Sequence, residues 1–557
     1  MNLLQEPWMP VRLRKGQREW ISPCRFSDTE IVAFDADRPD FNGALAQFAV
    51  GLLQSVTPAN SASEWRQLFQ TPPDQPTLRE WFAPIEAAFI FDGDGARFMQ
   101  DRSLQAEEFV AISGLLIEAP GENAVKNNSD HFIKRAHVQA LCPRCAATAL
   151  LTLQINAPSG GAGHRTGLRG GGPLTTLITA AANQASGLWH DIWLNVRERD
   201  SFLAQCGDAT KTALPLRFPW LADITAIQAS DGETAPAQVH PDHLFWAMPR
   251  RIRLDFDHVS AGTCDICAMP SERRVLRYAT RNYGLNYKGA WEHPLSPYYE
   301  TKEGWLPLHP QPGGLGYRQW LGWVAGVGAD PKRPRKPARA VEHALQERGR
   351  QLGTNLRLWA FGYDMDNMKA RCWYEATVPL YGLALCSKDV QREVEVEVGQ
   401  HLATAEMAAF FLRSAVKDAW FGADARGDFS HIDASFWSGT EPAFYRQLEA
   451  RIAAARNEAT FDRIAASERW LGTLQHTVLR LFDEVFVGAG AVERQHPRRA
   501  AEARRKLMAG LYGKKLRESL GLPVAEPAAA KKAKRTSKTP PSPSPNDAGE
   551  QANRRTT

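Results

Sequence analysis

Beyond about residue 400 the apolar residues recur at three- and four-residue intervals, with Phe444, Leu448 and Ile452 in one stretch and Leu471, Leu474, Val478, Leu481 and Val485 in another. That spacing lines them up on one face of an α-helix. With the Ala-, Leu-, Glu- and Arg-rich composition it predicts helices near 402–420, 441–456, 461–487 and 498–519. Four apolar stripes bury one another most simply in a four-helix bundle. Ahead of residue 395 the texture differs. Short apolar runs alternate with frequent Gly and Pro, as over 305–328, which marks mixed α/β structure with long loops and leaves the strand order open. The expected class is α+β: a large mixed α/β amino-terminal domain over 1–395, a four-helix bundle over 396–522 and a tail over 523–557.

The tail is rich in Ala, Lys, Pro and Ser, too poor in apolar residues to offset the entropy of ordering, and is expected to be disordered. It also changes the reading of charge. The chain carries a formal +5, and the tail supplies four of those charges with seven Lys/Arg against three Asp/Glu. The body is nearly neutral, so net charge makes no case for nucleic acid, and any electrostatic contact must rest on local patches. One candidate is the last predicted helix, with Arg498, Arg499, Arg504, Arg505, Lys506, Lys514, Lys515 and Arg517; a run of this kind is more often a solvated face than a phosphate track. Another is Lys332-Arg333-Pro334-Arg335-Lys336-Pro337-Ala338-Arg339, which its prolines bar from a helix interior and which reads as an exposed loop. No apolar run approaches the roughly 18 residues of a spanning helix, and the first residues lack a basic and then apolar leader, so a cytoplasmic protein away from membranes is expected.

Eight cysteines are too few for a disulfide scaffold in 557 residues, but four form two pairs, Cys142-Pro143-Arg144-Cys145 and Cys264-Asp265-Ile266-Cys267. Each Cys-x-x-Cys turn can set two thiolates on one side of a metal, and two turns complete a tetrahedral shell. Such a shell leaves no open position for water, so the site reads as structural zinc stapling two distant segments. The alternative is a redox dithiol, which would make the chain a zinc- or dithiol-dependent oxidoreductase. A second signal is the glycine-rich run from Gly160 through Gly163, Gly167 and Gly170 to Gly172, whose backbone can approach a ligand closely; without a closing Gly-Lys-Ser/Thr it is no P-loop, and a plain surface loop is the competing reading. Asp92-Gly93-Asp94-Gly95 reads as a turn, Asp255-Phe256-Asp257-His258 as an isolated cluster, and His240 and His243 as loop histidines. Nothing in these groupings supports an enzyme.

Asn2-Leu3-Leu4, Pro7-Trp8-Met9-Pro10-Val11, Phe98-Met99-Gln100, the two cysteine pairs, Gly167-Leu168-Arg169-Gly170-Gly171 and His293-Pro294-Leu295-Ser296-Pro297, in that order and spacing, resemble the CasA family, from residue 1 to about 520. The family is that of the large, non-enzymatic subunit of the type I-E CRISPR Cascade complex. The resemblance implies target double-stranded DNA, a CRISPR guide RNA, the other Cascade subunits and a nuclease-helicase as partners. It implies that Ser159, Gly160, Gly161 and Ala162 enter the minor groove of the short licensing motif, where A·T is told mainly from G·C. Ala162 departs from an all-glycine loop, and a positive φ there would cost roughly 1 kcal/mol. The resemblance further implies a basic side chain at Arg281 contacting the same groove, a wedge at Asn367 or Met368 opening the first target base pair, and a guide-end docking loop carrying Asn128, Phe132, Lys134 and Arg135. A third reading is a free-standing DNA- or RNA-binding zinc protein.

Overall fold

Asn2-Leu3-Leu4 and Pro7-Trp8-Met9-Pro10-Val11 go into the core: Leu3, Trp8, Met9 and Val11 are fully buried. The computed structural model describes residues 1–104, 108–120, 126, 137–160, 163–180, 187–223, 231–326, 334–352, 356–366, 369–421, 427–488 and 496–524, so nearly all of the expected tail lies outside the described residues. The entering segment becomes β1 (Met9–Leu13), paired antiparallel with β2 (Arg18–Ile21) and β3 (Ile31–Phe34) in the order β2-β1-β3. Behind it lies the helix Pro39–Val56, buried over most of its length. Its Phe48 sits edge-on to Trp8 at 5.1 Å between ring centroids and also meets Phe89, Phe98 and Trp246. Each of three buried indoles here finds an acceptor: Trp8 donates to Leu3 O at 2.7 Å, Trp220 to Ala88 O at 2.6 Å and Trp246 to Ser55 Oγ at 2.9 Å. An orphaned donor there would cost about 1–3 kcal/mol.

The strand order that the pattern left open resolves into small antiparallel sheets. Next along the chain come β4 (Val110–Ala111), β5 (Thr175–Ala180), β6 (Arg251–Leu254), β7 (Ser260–Thr263), β8 (Pro270–Arg274) and β9 (Arg277–Arg281). They are followed by β10 (Tyr298–Thr301), β11 (Gly304–Pro307), β12 (Arg335–Lys336), β13 (Leu356–Asp366) and β14 (Lys369–Pro379). The sheets run β4-β9-β6, β7-β8, β11-β10-β12 and β14-β13-β5. One expectation is corrected here. Within the 332–339 insert, residues 332 and 333 lie outside the described residues, while Arg335 and Lys336 form β12 against β10 rather than an exposed loop. Lys336 is drawn in by Glu292 and by the Trp305 ring, whose centroid is 4.6 Å from its Nζ.

The carboxy-terminal helices run Lys388–Trp420, Ser430–Arg456, Arg463–Arg480 with a π-helical continuation over Leu481–Phe486, and Pro497–Leu511, followed by the short Lys514–Ser519. The first begins at Lys388 rather than near residue 402, because Ser387 caps it by accepting from Val390 N at 3.3 Å. The second begins at Ser430 rather than near residue 441, so that Pro442 lies inside it rather than at its start. Much of the basic face is paired within the bundle. Arg504 meets Asp483 at 2.8 Å, Lys506 meets Asp418 at 3.3 Å and Arg517 meets Glu468 at 2.5 Å.

Tyr317 locks the bundle to the rest of the chain. It stacks on Phe444 at 4.5 Å, touches the rings of Trp437 and Trp470, and shares a 2.7 Å hydrogen bond with Thr440 Oγ1. Tyr317→Phe removes only that bond and is expected to cost about 1 kcal/mol. Tyr317→Ala also opens a cavity and is expected to cost about 3–5 kcal/mol. Denaturant unfolding followed by tryptophan fluorescence checks both; an unchanged midpoint for Tyr317→Ala would contradict the locking role.

Candidate nucleic-acid interface and its thiol cluster

The two Cys-x-x-Cys pairs meet. Cys142, Cys145, Cys264 and Cys267 are all buried, and their sulfurs lie within 4.8 Å of one another. Cys142 is the N-cap of the helix Pro143–Asn156, where its Sγ accepts from Cys145 N at 3.5 Å. The second pair sits in the turn between β7 and β8, closed by Ala268 N on Cys264 O and Cys264 N on Met269 O, both at 3.0 Å. Bonds within the protein bring the turns together: Cys142 N donates to Cys264 Sγ at 3.3 Å, Asp265 Oδ2 accepts from Gln139 N at 2.6 Å and Ala140 N at 2.8 Å, and Leu141 pairs with Val275. Cys142 Sγ and Cys267 Sγ stand 3.7 Å apart. Sulfurs held tetrahedrally at about 2.3 Å from a metal would stand about 3.8 Å apart, so the donor set fits a four-thiolate ion. The crowding splits the thiols: hydrogen bonds from Cys142 and Cys145 pull Cys264 down, and those around Cys145 push it up. A second group, Glu198, His343 and Glu347, also brings ligand atoms together, but Arg348 already occupies the Glu198 carboxylate.

Two chain segments leave this cluster towards the same place. The helix Pro143–Asn156 delivers the glycine-rich run, and β8 followed by β9 delivers Arg281 at an exposed strand end. Asp255 accepts from Arg277 Nε at 2.6 Å and fastens the start of β9 to the end of β6, whose Arg251 pairs with Arg281 in register. Run and strand then touch. Tyr283 N donates to Gly163 O at 2.7 Å, and the Arg165 guanidinium lies 5.6 Å from the Tyr283 ring centroid. Gly163 has φ of 83°, and a Cβ there would stand 2.6 Å from Asn282 Cβ, so both conformation and space require glycine.

The other end of the run is packed interior. Gly172, with φ of 60°, would place a Cβ 2.6 Å from Tyr363 Cβ on β13. Arg169 is buried, and donates through Nη1 to Thr175 Oγ1 at 3.0 Å and Ser296 Oγ at 2.9 Å and through Nη2 to Gln47 Oε1. Burial lowers its guanidinium to about 10. The motifs around Arg169 and Ser296 thus meet as structure, and only the first half of the run remains for a ligand. The β13–β14 hairpin, eleven residues per strand, stays paired to its last described pair, Asp366 with Lys369.

Ser159 is exposed and Gly160 half-buried at the near end of the loop, and a Cβ on Gly160 would stand 2.6 Å from His164 Cβ and 2.9 Å from Arg250 Nη1. Gly161, Ala162, Asn367, Met368, Asn128, Phe132, Lys134 and Arg135 lie outside the described residues. Sequence reasoning missed Arg250, which is buried beneath the loop and donates through Nη2 to Pro158 O, and missed Tyr283. A signal was present: Arg250-Arg251-Ile252-Arg253-Leu254 is a basic, strand-patterned run just ahead of the second cysteine pair. Burial lowers Arg250 to about 10, and burial followed by the charge of Arg250 lowers His164.

A family model described as CRISPR-associated protein Cse1 matches residues 2–481. Among solved structures, Thermobifida fusca Cse1 superposes with a TM-score of 0.69 at 15% identity, covering 94% of this chain and 98% of that one. Thermus thermophilus CasA (Cse1) superposes with a TM-score of 0.62 at 17% identity over 92% and 99% of the two chains. A chain of a CRISPR RNA-guided surveillance complex gives 0.63 at 15% identity over 92% and 99%. At these identities the likeness is one of fold.

Cys264→Ser removes one of four converging thiols. It is expected to abolish stoichiometric metal binding and to lower the thermal midpoint by at least several degrees, measured by metal analysis and calorimetry on the same preparation. A variant that keeps a full metal equivalent and its midpoint would contradict the four-thiol reading.

Proposed function

The chain belongs to the CRISPR-associated protein Cse1 family, and from that membership we propose that it is the non-catalytic large subunit of a type I-E Cascade complex that inspects duplex DNA for the licensing motif. In this reading the loop containing Ser159, Gly160, Gly161 and Ala162 enters the minor groove together with Arg281, while phosphate contacts from basic side chains position the duplex without carrying sequence. The observation that carries the reading is the Tyr283–Gly163 hydrogen bond, which seats the loop beside the strand end that bears Arg281. The wedge, Asn367 or Met368, starts strand opening from the tip of the β13–β14 hairpin. Each DNA step is worth about 1.4 kcal/mol and is nearly returned by RNA–DNA pairing, so nucleating the first opening is sufficient.

The thiol cluster is read as a zinc site with all four positions taken by protein. Zinc bound there supplies folding energy and leaves no open coordination position for a reacting water. Convergence of both cysteine pairs on one point supports this over a lone redox dithiol. The docking loop with Asn128, Phe132, Lys134 and Arg135 is assigned to the guide-bearing end of the complex, the other Cascade subunits to the remaining surface, and cutting to a recruited nuclease-helicase. Among the described residues no helix is long and apolar enough to cross a membrane, and the proposed site of action is the cytoplasm.

The test is duplex binding by a guide-loaded complex reconstituted with and without this chain, on matched targets bearing a permissive or a scrambled motif. The chain is expected to confer motif-dependent binding, and Arg281→Ala to weaken the permissive target by about tenfold, in the range of one lost groove contact. Equal binding with and without the chain on every motif would refute the inspection role.

A further inference from the structure

Arg250 stands at the entrance to β6, beneath the glycine-rich loop, with a relative exposure of 8%. Its backbone is clamped from the helix Pro143–Asn156: Arg250 N donates to Gln154 Oε1 at 3.0 Å, and Gln154 Nε2 donates to Arg250 O at 2.9 Å. Its side chain reaches up. Nη2 donates to Pro158 O, and Nη1 would stand 2.9 Å from a Cβ placed on Gly160. Nε is buried and has no hydrogen-bond partner among the described residues. No carboxylate pairs with Arg250 among those residues, whereas its neighbour Arg251 holds Asp101 at 2.7 Å. A buried guanidinium with no counter-ion and an unused donor is an expensive way to hold one carbonyl, and a neutral amide would serve if stability were all that mattered.

The geometry explains what else it does. β6 and β9 are hydrogen-bonded neighbours, with Arg251 opposite Arg281. The loop is tied to the β6 side by Arg250 on Pro158 O and to the β9 end by Tyr283 N on Gly163 O. Backbone bonds from Gly167 N to Ala157 O at 3.0 Å and from Gly172 N to Asn156 O at 3.2 Å hold the chain where it leaves the helix, and Arg250 is the side chain that fixes the next carbonyl, that of Pro158, on the approach to the loop. We infer that Arg250 is a specificity-determining positioning residue, holding the loop at the spacing from Arg281 that decides which base pairs the two read together. The inference rests on the DNA-inspection reading given above. Base pairs rise about 3.4 Å along the duplex, so a displacement of that order changes which step the loop faces while leaving phosphate contacts in place.

The experiment uses the guide-loaded complex carrying wild-type, Arg250→Met or Arg250→Lys chain, with affinity measured for matched duplexes bearing permissive and scrambled motifs at two salt concentrations. Arg250→Met is expected to lower the permissive-to-scrambled ratio by about tenfold, with binding to the scrambled duplex and its salt dependence nearly unchanged. Arg250→Lys, which keeps a donor for the Pro158 carbonyl, is expected to recover part of the ratio. A parallel fall on both duplexes, or an unchanged ratio, overturns the inference. If Arg250→Met does not assemble, Arg250→Gln, which keeps a polar group in the buried position but is too short to hold the Pro158 carbonyl as Nη2 does, is read by the same criteria. A wild-type complex that shows no motif preference marks the failure of the inspection reading itself, not of the role of Arg250.

Discussion

Holding residues 141–145 against residues 264–275 is the constraint on which the rest of the site depends. The sulfur cluster, the Asp265 carboxylate on two backbone amides and the Leu141–Val275 bridge all act at this one junction. Two elements leave it: a fourteen-residue helix that ends at the glycine-rich loop, and a strand pair that ends at Arg281. A helix of that length spans about 20 Å, so a small change in angle at its base becomes a displacement of ångströms at the loop. A closed four-thiolate shell suits such a hinge point, since it fixes direction while contributing no reactive position.

The far side of the loop is fixed differently. Arg169 joins the helix Pro39–Val56 through Gln47, the strand β5 through Thr175 and the segment before β10 through Ser296. With Gly172 closed against Tyr363, the second half of the glycine run becomes part of the core that carries the β13–β14 hairpin. Loop, strand end and hairpin therefore share supports. Under the proposed function, such shared supports suit a surface that tests a duplex and then begins to open it, because groups that act together need rigid elements beneath them.

Much of this was legible in the sequence, and unevenly so. The cysteine pairs were legible because thiolate chemistry needs both residue type and spacing, and the structure joins them across more than a hundred residues. The helices after residue 400 were legible from periodicity, but their starts were not: the Ser387 cap and the passage through Pro442 depend on local bonding that an apolar stripe does not encode. Strand order was illegible because β4, β6, β9 and β12 are two to five residues long and pair over long separations. Arg335 and Lys336 read as an exposed loop because prolines break their basic run, yet Glu292 and Trp305 draw Lys336 inward. Arg250 was missed because charge in sequence suggests surface, and only the fold reveals a guanidinium set beneath a loop.

Under the proposed function, loop and strand end form one reading head. Photocrosslinking from residues Ser159 and Arg281, each replaced in turn by a photoreactive residue in the guide-loaded complex on a target duplex, tests that claim most directly. Adducts from both positions within about two base pairs of each other in the licensing motif, that is within about 7 Å along the duplex, are the predicted result. Adducts on separate parts of the duplex, or on protein and guide RNA alone, would contradict it.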